Sequence, residues 1–328
     1  MNFSLLTIGV LLFSIFSFGQ IEQPIYSIYL IGDAGASTYE DSLMNNFHQA
    51  LSKEDSNTTV VYLGDNIYPL GLSDIQSDSR KKEEILLDVQ LDRLKSFKGR
   101  TIVIPGNHDY ARGRQQGVNH VKNQAEYVDA LLGDSTFKPY NNCPDPVTVH
   151  LNEKIVMIVL DTEWPLYAYQ DHTKINECEC QSNNDLYLAL QDIVFRNYDK
   201  QLIVVGHHPV YTYGNHGGKF TWKDHIFPLT AKFKGAYVPL PIIGSLYPVS
   251  RQLGMNPQDV NHPKNKKMRS AFEEVFTQHP NLIYASGHEH SLQYSEKDSV
   301  HYIVSGSGSK TTYVRKGKYA DFVASEKG

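Results

Sequence analysis

Five short apolar runs in this sequence end in a glycine followed by residues with strong donor atoms: "YSIYLIGDAG", "TVVYLGDNIY", "RTIVIPGNHD", "QLIVVGHHPV" and "NLIYASGHEH". They deliver Asp33, Asp65 with Tyr68, Asn107 with His108, His207 with His208, and His288 with His290. Each has an ordinary explanation when taken alone. An aspartate after glycine usually shapes a turn or caps a helix, and a lone buried histidine usually bonds a backbone carbonyl. Five separate strand ends would each have to place such a residue by chance. Carboxylate, amide and phenol oxygens mixed with imidazole suit iron, zinc and manganese. Nine donors exceed one tetrahedral site and suit two ions that share a bridging carboxylate. Such a pair clamps both the attacking and the leaving oxygen of a phosphoryl displacement.

Those residues need a frame that brings five chain segments to one point. Helical patterns alternate with the apolar runs: "RKKEEILLDVQLDRLKSF" places Leu87, Leu91 and Leu94 on one face, and "NNDLYLALQDIVFRNY" and "KNKKMRSAFEEVFTQH" are likewise amphipathic. Alternating strands and helices predict an α/β fold, parallel near its centre, with ligands bound beyond the strands' C-terminal ends. Val147 to His150 and Ile155 to Leu160 read as a hairpin, and "LQYSEKDSVHYIVSGSG" repeats the pattern. The expected architecture is a four-layer α/β/β/α sandwich of two mixed sheets flanked by helices. Lys219 to Lys267 fits this scheme poorly, because Pro228, Pro239, Pro241 and Pro248 interrupt apolar text such as "YVPLPIIGSLYPV". The segment is longer than a connection needs and reads as a lid or an interaction loop inserted in a single catalytic domain over 20–328.

The 328 residues are 41% hydrophobic and 20% charged, ordinary for a globular chain, and the net charge of −5 leaves no basic footprint for nucleic acid. "MNFSLLTIGVLLFSIFSFGQ" is apolar from Leu5 to Phe18, too short to span a bilayer comfortably, with a small-x-small site at Ser17 and Gly19. It reads as a signal peptide over 1–19, and the mature chain as exported: periplasmic, cell-surface or secreted. An uncleaved anchor is the lesser alternative, since the first residues lack Lys and Arg. No later stretch resembles a transmembrane helix. Cys143, Cys178 and Cys180 allow a bridge from Cys143 to one of the other two in an oxidising compartment, or three unpaired thiols in surface loops.

In their order, "GDAG", "GDNIY", "GNHD", "GHHP" and "GHEH" resemble the calcineurin-like metallophosphoesterase superfamily, and within it the purple acid phosphatases, especially the small tartrate-resistant type. The resemblance runs from about Ile28 to Ser309. In the general superfamily a metal-binding histidine stands two residues after the first aspartate, where this chain has Gly35; the purple branch uses a tyrosine in the second block instead. The resemblance implies Fe(III) bound by Asp33, Asp65, Tyr68 and His290, and a divalent Fe, Zn or Mn ion bound by Asp65, Asn107, His207 and His288. It implies catalytic roles for His108, beside the substrate phosphate, and for His216, nine residues after His207. No role follows for His208, and Asp109 is expected to position the turn or a ligand by hydrogen bonding. The implied activity is hydrolysis of a small phosphate monoester by a metal-bound hydroxide, with no organic cofactor. A phosphodiesterase or nucleotidase on the same site is the close rival, and a non-catalytic metal-binding module the distant one. No G-x-S-x-G precedes a helix, which leaves a serine hydrolase without its nucleophile elbow. The last strand-like run, "ADFVASEKG", leaves an expected edge open, to be covered by a further C-terminal domain or by a partner.

Overall fold

The computed structural model describes residues 26–140, 143–169, 178–231, 233 and 235–325. The expected signal peptide lies outside the described residues. Among the described residues, ten strands form two sheets. The smaller comprises β1 (Ser27–Ile31), β2 (Thr58–Tyr62) and β3 (Arg100–Val103), in chain order and parallel throughout. The larger comprises β4 (Val147–His150), β5 (Ile155–Val159), β6 (Gln201–Val205), β7 (Ile283–Ser286), β8 (Leu292–Lys297), β9 (Val300–Ser305) and β10 (Ala320–Ala324). Its order is β10-β8-β9-β7-β6-β5-β4, with parallel pairing along β5-β6-β7-β9 and antiparallel pairing at both flanks. Both expected hairpins are present as β4-β5 and β8-β9.

The period of two along each strand sorts its side chains into separate layers. Val61 and Leu63 join Met157, Val159, Ile203 and Val205 in a core between the sheets. Val60 and Tyr62 face the other way, into a second core with residues of α1 (Ser42–Leu51), α2 (Arg80–Leu91) and α3 (Gly117–Leu132). Val156, Ile158, Leu202 and Val204 build a third, under α4 (Asn183–Arg196) and α7 (Pro263–Phe276). Three apolar cores between four layers are the α/β/β/α sandwich that the sequence pattern predicts.

The segment from Lys219 onward is largely helical rather than a loop, with α5 (Trp222–Ile226), α6 (Pro241–Gln252) and the start of α7. Its prolines start helices, and Pro248 lies within α6. Pro241 and Pro263 lie in the first turns of α6 and α7, where the missing N–H is not needed. A disulfide joins Cys143 to Cys178, with Cα atoms 5.5 Å apart, and Cys180 is a buried free thiol.

Candidate metal centre

Every strand end that the sequence singles out points to one place. Asp33 follows β1, Asp65 and Tyr68 follow β2, Asn107 follows β3, His207 follows β6, and His288 and His290 follow β7. Asp33, Asp65 and His288 hold φ of 60°, 55° and 68°, a left-handed conformation that costs about 1–3 kcal/mol each and that structures tolerate chiefly at functional sites. At Gly106 the chain turns so tightly against the second block that a Cβ would lie 2.4 Å from Asp65 Oδ1.

Two clusters of donor atoms result. In the first, the Tyr68 hydroxyl lies 2.9 Å from Asp33 Oδ1 and 3.0 Å from His290 Nε2, and those two atoms are 3.4 Å apart. In the second, Asn107 Oδ1 is 3.1 Å from His207 Nε2 and 3.0 Å from His288 Nδ1, with the two imidazole nitrogens 3.2 Å apart. Asp65 Oδ1 lies 3.4 Å from His207 Nε2, and Asp33, Asp65 and His207 offer donor atoms all within 4.8 Å of one another, so Asp65 sits between the clusters. Ligands at about 2.0–2.2 Å from one ion, at octahedral to tetrahedral angles, stand roughly 2.9–3.5 Å apart. Both clusters match that spacing.

Protons in the second cluster make the case sharper. His207 Nδ1 is 2.7 Å from the Leu63 carbonyl and His288 Nε2 is 3.0 Å from the Gln258 carbonyl, so each ring spends its N–H on backbone. Burial, then neighbouring His216, His208 and His207, hold the pKa of His288 well below the usual histidine range, and the ring is neutral at pH 7. The lone pair on His288 Nδ1 therefore faces the lone pairs of Asn107 Oδ1, 3.0 Å away, with no proton between them. A cation is the natural partner for lone pairs converging in a buried pocket. The donor set fits the two ions that the chemistry calls for.

The vacancy left by the missing histidine is closed by backbone. A Cβ at Gly35 would lie 2.5 Å from the Ile67 nitrogen, and Gly35 bonds both Asp65 and Tyr68 through its own backbone. No side chain fits there, and the Tyr68 phenol approaches from the opposite loop. Gly35→Ala is accordingly expected to destabilise the protein by about 1–3 kcal/mol, read from a shift in the denaturation midpoint at unchanged slope. A stability equal to wild type would show that the two loops part easily. Burial, with Asp33 and Asp65 adding to it, raises the pKa of the Tyr68 phenol well above its usual value, so a phenolate here requires a cation beside it. Lys310, on the loop after β9, places its Nζ 3.1 Å from the centroid of the Tyr68 ring.

The remaining predicted residues lie around this centre. His108 is half-buried, bonds the Pro69 carbonyl through Nδ1 at 2.7 Å and turns Nε2 toward Asp65 Oδ2 at 3.9 Å. Asp109 accepts the backbone N–H groups of Asn66, Ile67 and Gly106 and so ties the second block to the third, as expected. The His216 ring packs 3.9 Å from that of His288, and its Nδ1 is 3.0 Å from Asp259 Oδ1. His208 has both nitrogens engaged, with Thr162 at 2.9 Å and Gln258 at 2.6 Å, and burial with His207 lowers its pKa to about 3. It is a buried, neutral structural ring.

Four supporting residues escaped the sequence reading. Glu289, inside "GHEH", accepts the N–H groups of Asn215 and His216 and the Thr212 hydroxyl, and so anchors the loop that carries His216. Asp259 and Arg251 pair with each other behind His216. Gln258 reaches both His208 and His288. Arg251, Gln258 and Asp259 have no local signal beyond their place in the apolar, Pro-rich segment with few acids, whereas Glu289 stands between two histidines of the fifth block.

Paired donor clusters at the joined C-terminal edges of a two-sheet α/β sandwich define a metal-dependent phosphoesterase. The family model for calcineurin-like phosphoesterases matches residues 26–238, and this chain belongs to that family. Among solved structures, it resembles GAP50, the anchor in the inner membrane complex of Plasmodium, with 21% identity and a TM-score of 0.49 over 92% of this chain and 78% of that one. It also resembles PhoD, with 12% identity and a TM-score of 0.44 over 84% of this chain; the alignment spans 55% of the PhoD chain. No curated protein matches the sequence.

Proposed function

We propose that this protein is an exported phosphatase that hydrolyses phosphate monoesters at a dinuclear centre of the purple acid phosphatase type. Asp33, Asp65, Tyr68 and His290 hold Fe(III), and Asp65, Asn107, His207 and His288 hold a divalent Fe, Zn or Mn ion. The observation that carries this reading is the Tyr68 hydroxyl, in contact with Asp33 and His290 beside the imidazole lone-pair cluster. Two carboxylates and a phenolate on one ion favour a trivalent metal. When bound, the ions polarise the phosphoryl group and activate water.

The chain's own residues complete the chemistry. His108, fixed through Nδ1 by the Pro69 carbonyl, presents Nε2 beside Asp65, where it stabilises the transferred phosphoryl charge. His216, with Nδ1 held 3.0 Å from Asp259 Oδ1, is the second group placed to assist departure of the leaving alkoxide. Lys310 adds positive charge at the mouth. Export is supported by the apolar Leu5 to Phe18 segment and by the Cys143–Cys178 disulfide.

The test is metal analysis with a visible spectrum, followed by assays on p-nitrophenyl phosphate and bis(p-nitrophenyl) phosphate. About two ions per chain, a tyrosinate–Fe(III) charge-transfer band and preference for the monoester are expected. A colourless protein that prefers the diester would overturn the reading in favour of a phosphodiesterase. His108→Ala is expected to keep both ions and the band while slowing turnover ~10²-fold or more. Loss of metal in that variant would make His108 a ligand.

A further inference from the structure

The helix α6 is inside-out. Its buried residues are Gly244, Pro248 and Arg251, whereas Ile242, Ile243, Leu246 and Leu253 line the opposite face and are 83%, 62%, 65% and 72% exposed. The orientation is built in. A Cβ at Gly244 would lie 2.3 Å from the His225 carbonyl of α5, so only glycine lets the two helices pack this closely, and buried Arg251 is locked to Asp259. Trp222 of α5 and Tyr237 between the helices, both 63% exposed, add to the apolar surface. This exceeds the scattered single hydrophobics that any surface shows.

The charge around this face identifies its occupant. Residues 219–267 hold eight Lys or Arg and two Asp, in a chain whose net charge is −5. Both acids are engaged internally, Asp224 as the capping box of α5 and Asp259 with Arg251. Lys223 projects from α5, and Lys264, Lys266 and Lys267 are exposed at the start of α7, which meets the end of α6 where Gly254 abuts Asn261. An apolar stripe bordered by lysines is suited to the surface of an anionic bilayer. Pairing with a second copy would bring lysine against lysine. No described helix is long and apolar enough to cross a membrane, and α6 has twelve residues, about 18 Å, enough to lie in the interface.

We propose that the α5–α6 face is an interfacial docking surface for membranes rich in anionic lipid. Docking is independent of hydrolysis. It nevertheless sets the catalytic mouth at the lipid–water boundary, because Gln258 and Asp259, just past α6, contact His288 and His216.

Co-sedimentation of the purified protein with vesicles tests this. Binding to phosphatidylcholine–phosphatidylglycerol vesicles is expected to exceed binding to phosphatidylcholine alone by about tenfold or more and to fall at high salt, since each lysine near the surface contributes roughly fivefold in partitioning. The surface variant Ile242→Ser/Leu246→Ser/Leu253→Ser should lose most of that binding while its melting temperature and metal content stay unchanged. Lys264→Glu/Lys266→Glu/Lys267→Glu should lose the preference for the anionic vesicles. Asp65→Asn should bind vesicles as wild type does, which separates this inference from the phosphatase reading. Failure to bind either vesicle, equal binding by the serine variant, or a solution dimer abolished by those same serines would each overturn it.

Discussion

Asp65→Asn is expected to reduce phosphoester hydrolysis by about 10³-fold or more while leaving the fold intact. Asp65 lies between the two donor clusters, 3.4 Å from His207 Nε2 on one side and in the same donor group as Asp33 on the other. Its Oδ1 also accepts the His108 backbone N–H at 2.8 Å. Asparagine keeps the shape and an acceptor for that bond but removes the negative charge that two cations would share. Loss of the bridge forfeits several kcal/mol of charge stabilisation, and about 1.4 kcal/mol corresponds to tenfold in rate. Metal content should fall below two ions per chain, with a circular dichroism spectrum like that of wild type. A variant that keeps both ions and stays within tenfold of wild-type turnover would remove Asp65 from the bridging position.

Tyr68→Phe should bleach the protein and lower its iron content. The ring has packing of its own, edge-on to His108 at 4.4 Å and under the Lys310 ammonium, so phenylalanine preserves the local core. Only the oxygen is lost, together with its contacts to Asp33 and His290. With one anionic donor fewer, the site holds a trivalent ion less well and the divalent state gains by comparison. The visible band is expected to vanish, with hydrolysis falling in step with the lost iron. Full colour in Tyr68→Phe would place the chromophore on another tyrosine.

Much of this centre is legible in the primary structure because its donors are local features. A run such as Val60 to Leu63 declares a buried strand by composition, the glycine after it marks a tight turn, and the next polar residue must then appear at the strand's C-terminal end. Asp33, Asp65, Asn107, His207 and His288 follow that rule, Tyr68 and His290 stand a few residues further along the same turns, and alternation along each strand likewise assigns side chains to one core or the next. Asp259 supporting His216 from 43 residues away, Glu289 anchoring that loop, and Lys310 over the Tyr68 ring depend on contacts between segments remote in sequence, which no local period encodes. The same limit applies to Ile242, Ile243 and Leu246. In sequence they belong to a segment that reads as a lid or an interaction loop, and the close packing at Gly244 and the Arg251–Asp259 pair turn the opposite face of their helix inward and leave them outside. Local chemistry chose the donors and the strands; the side of a helix that faces water was settled by long-range packing, where one glycine and one buried ion pair outweigh the preference of apolar side chains for the interior.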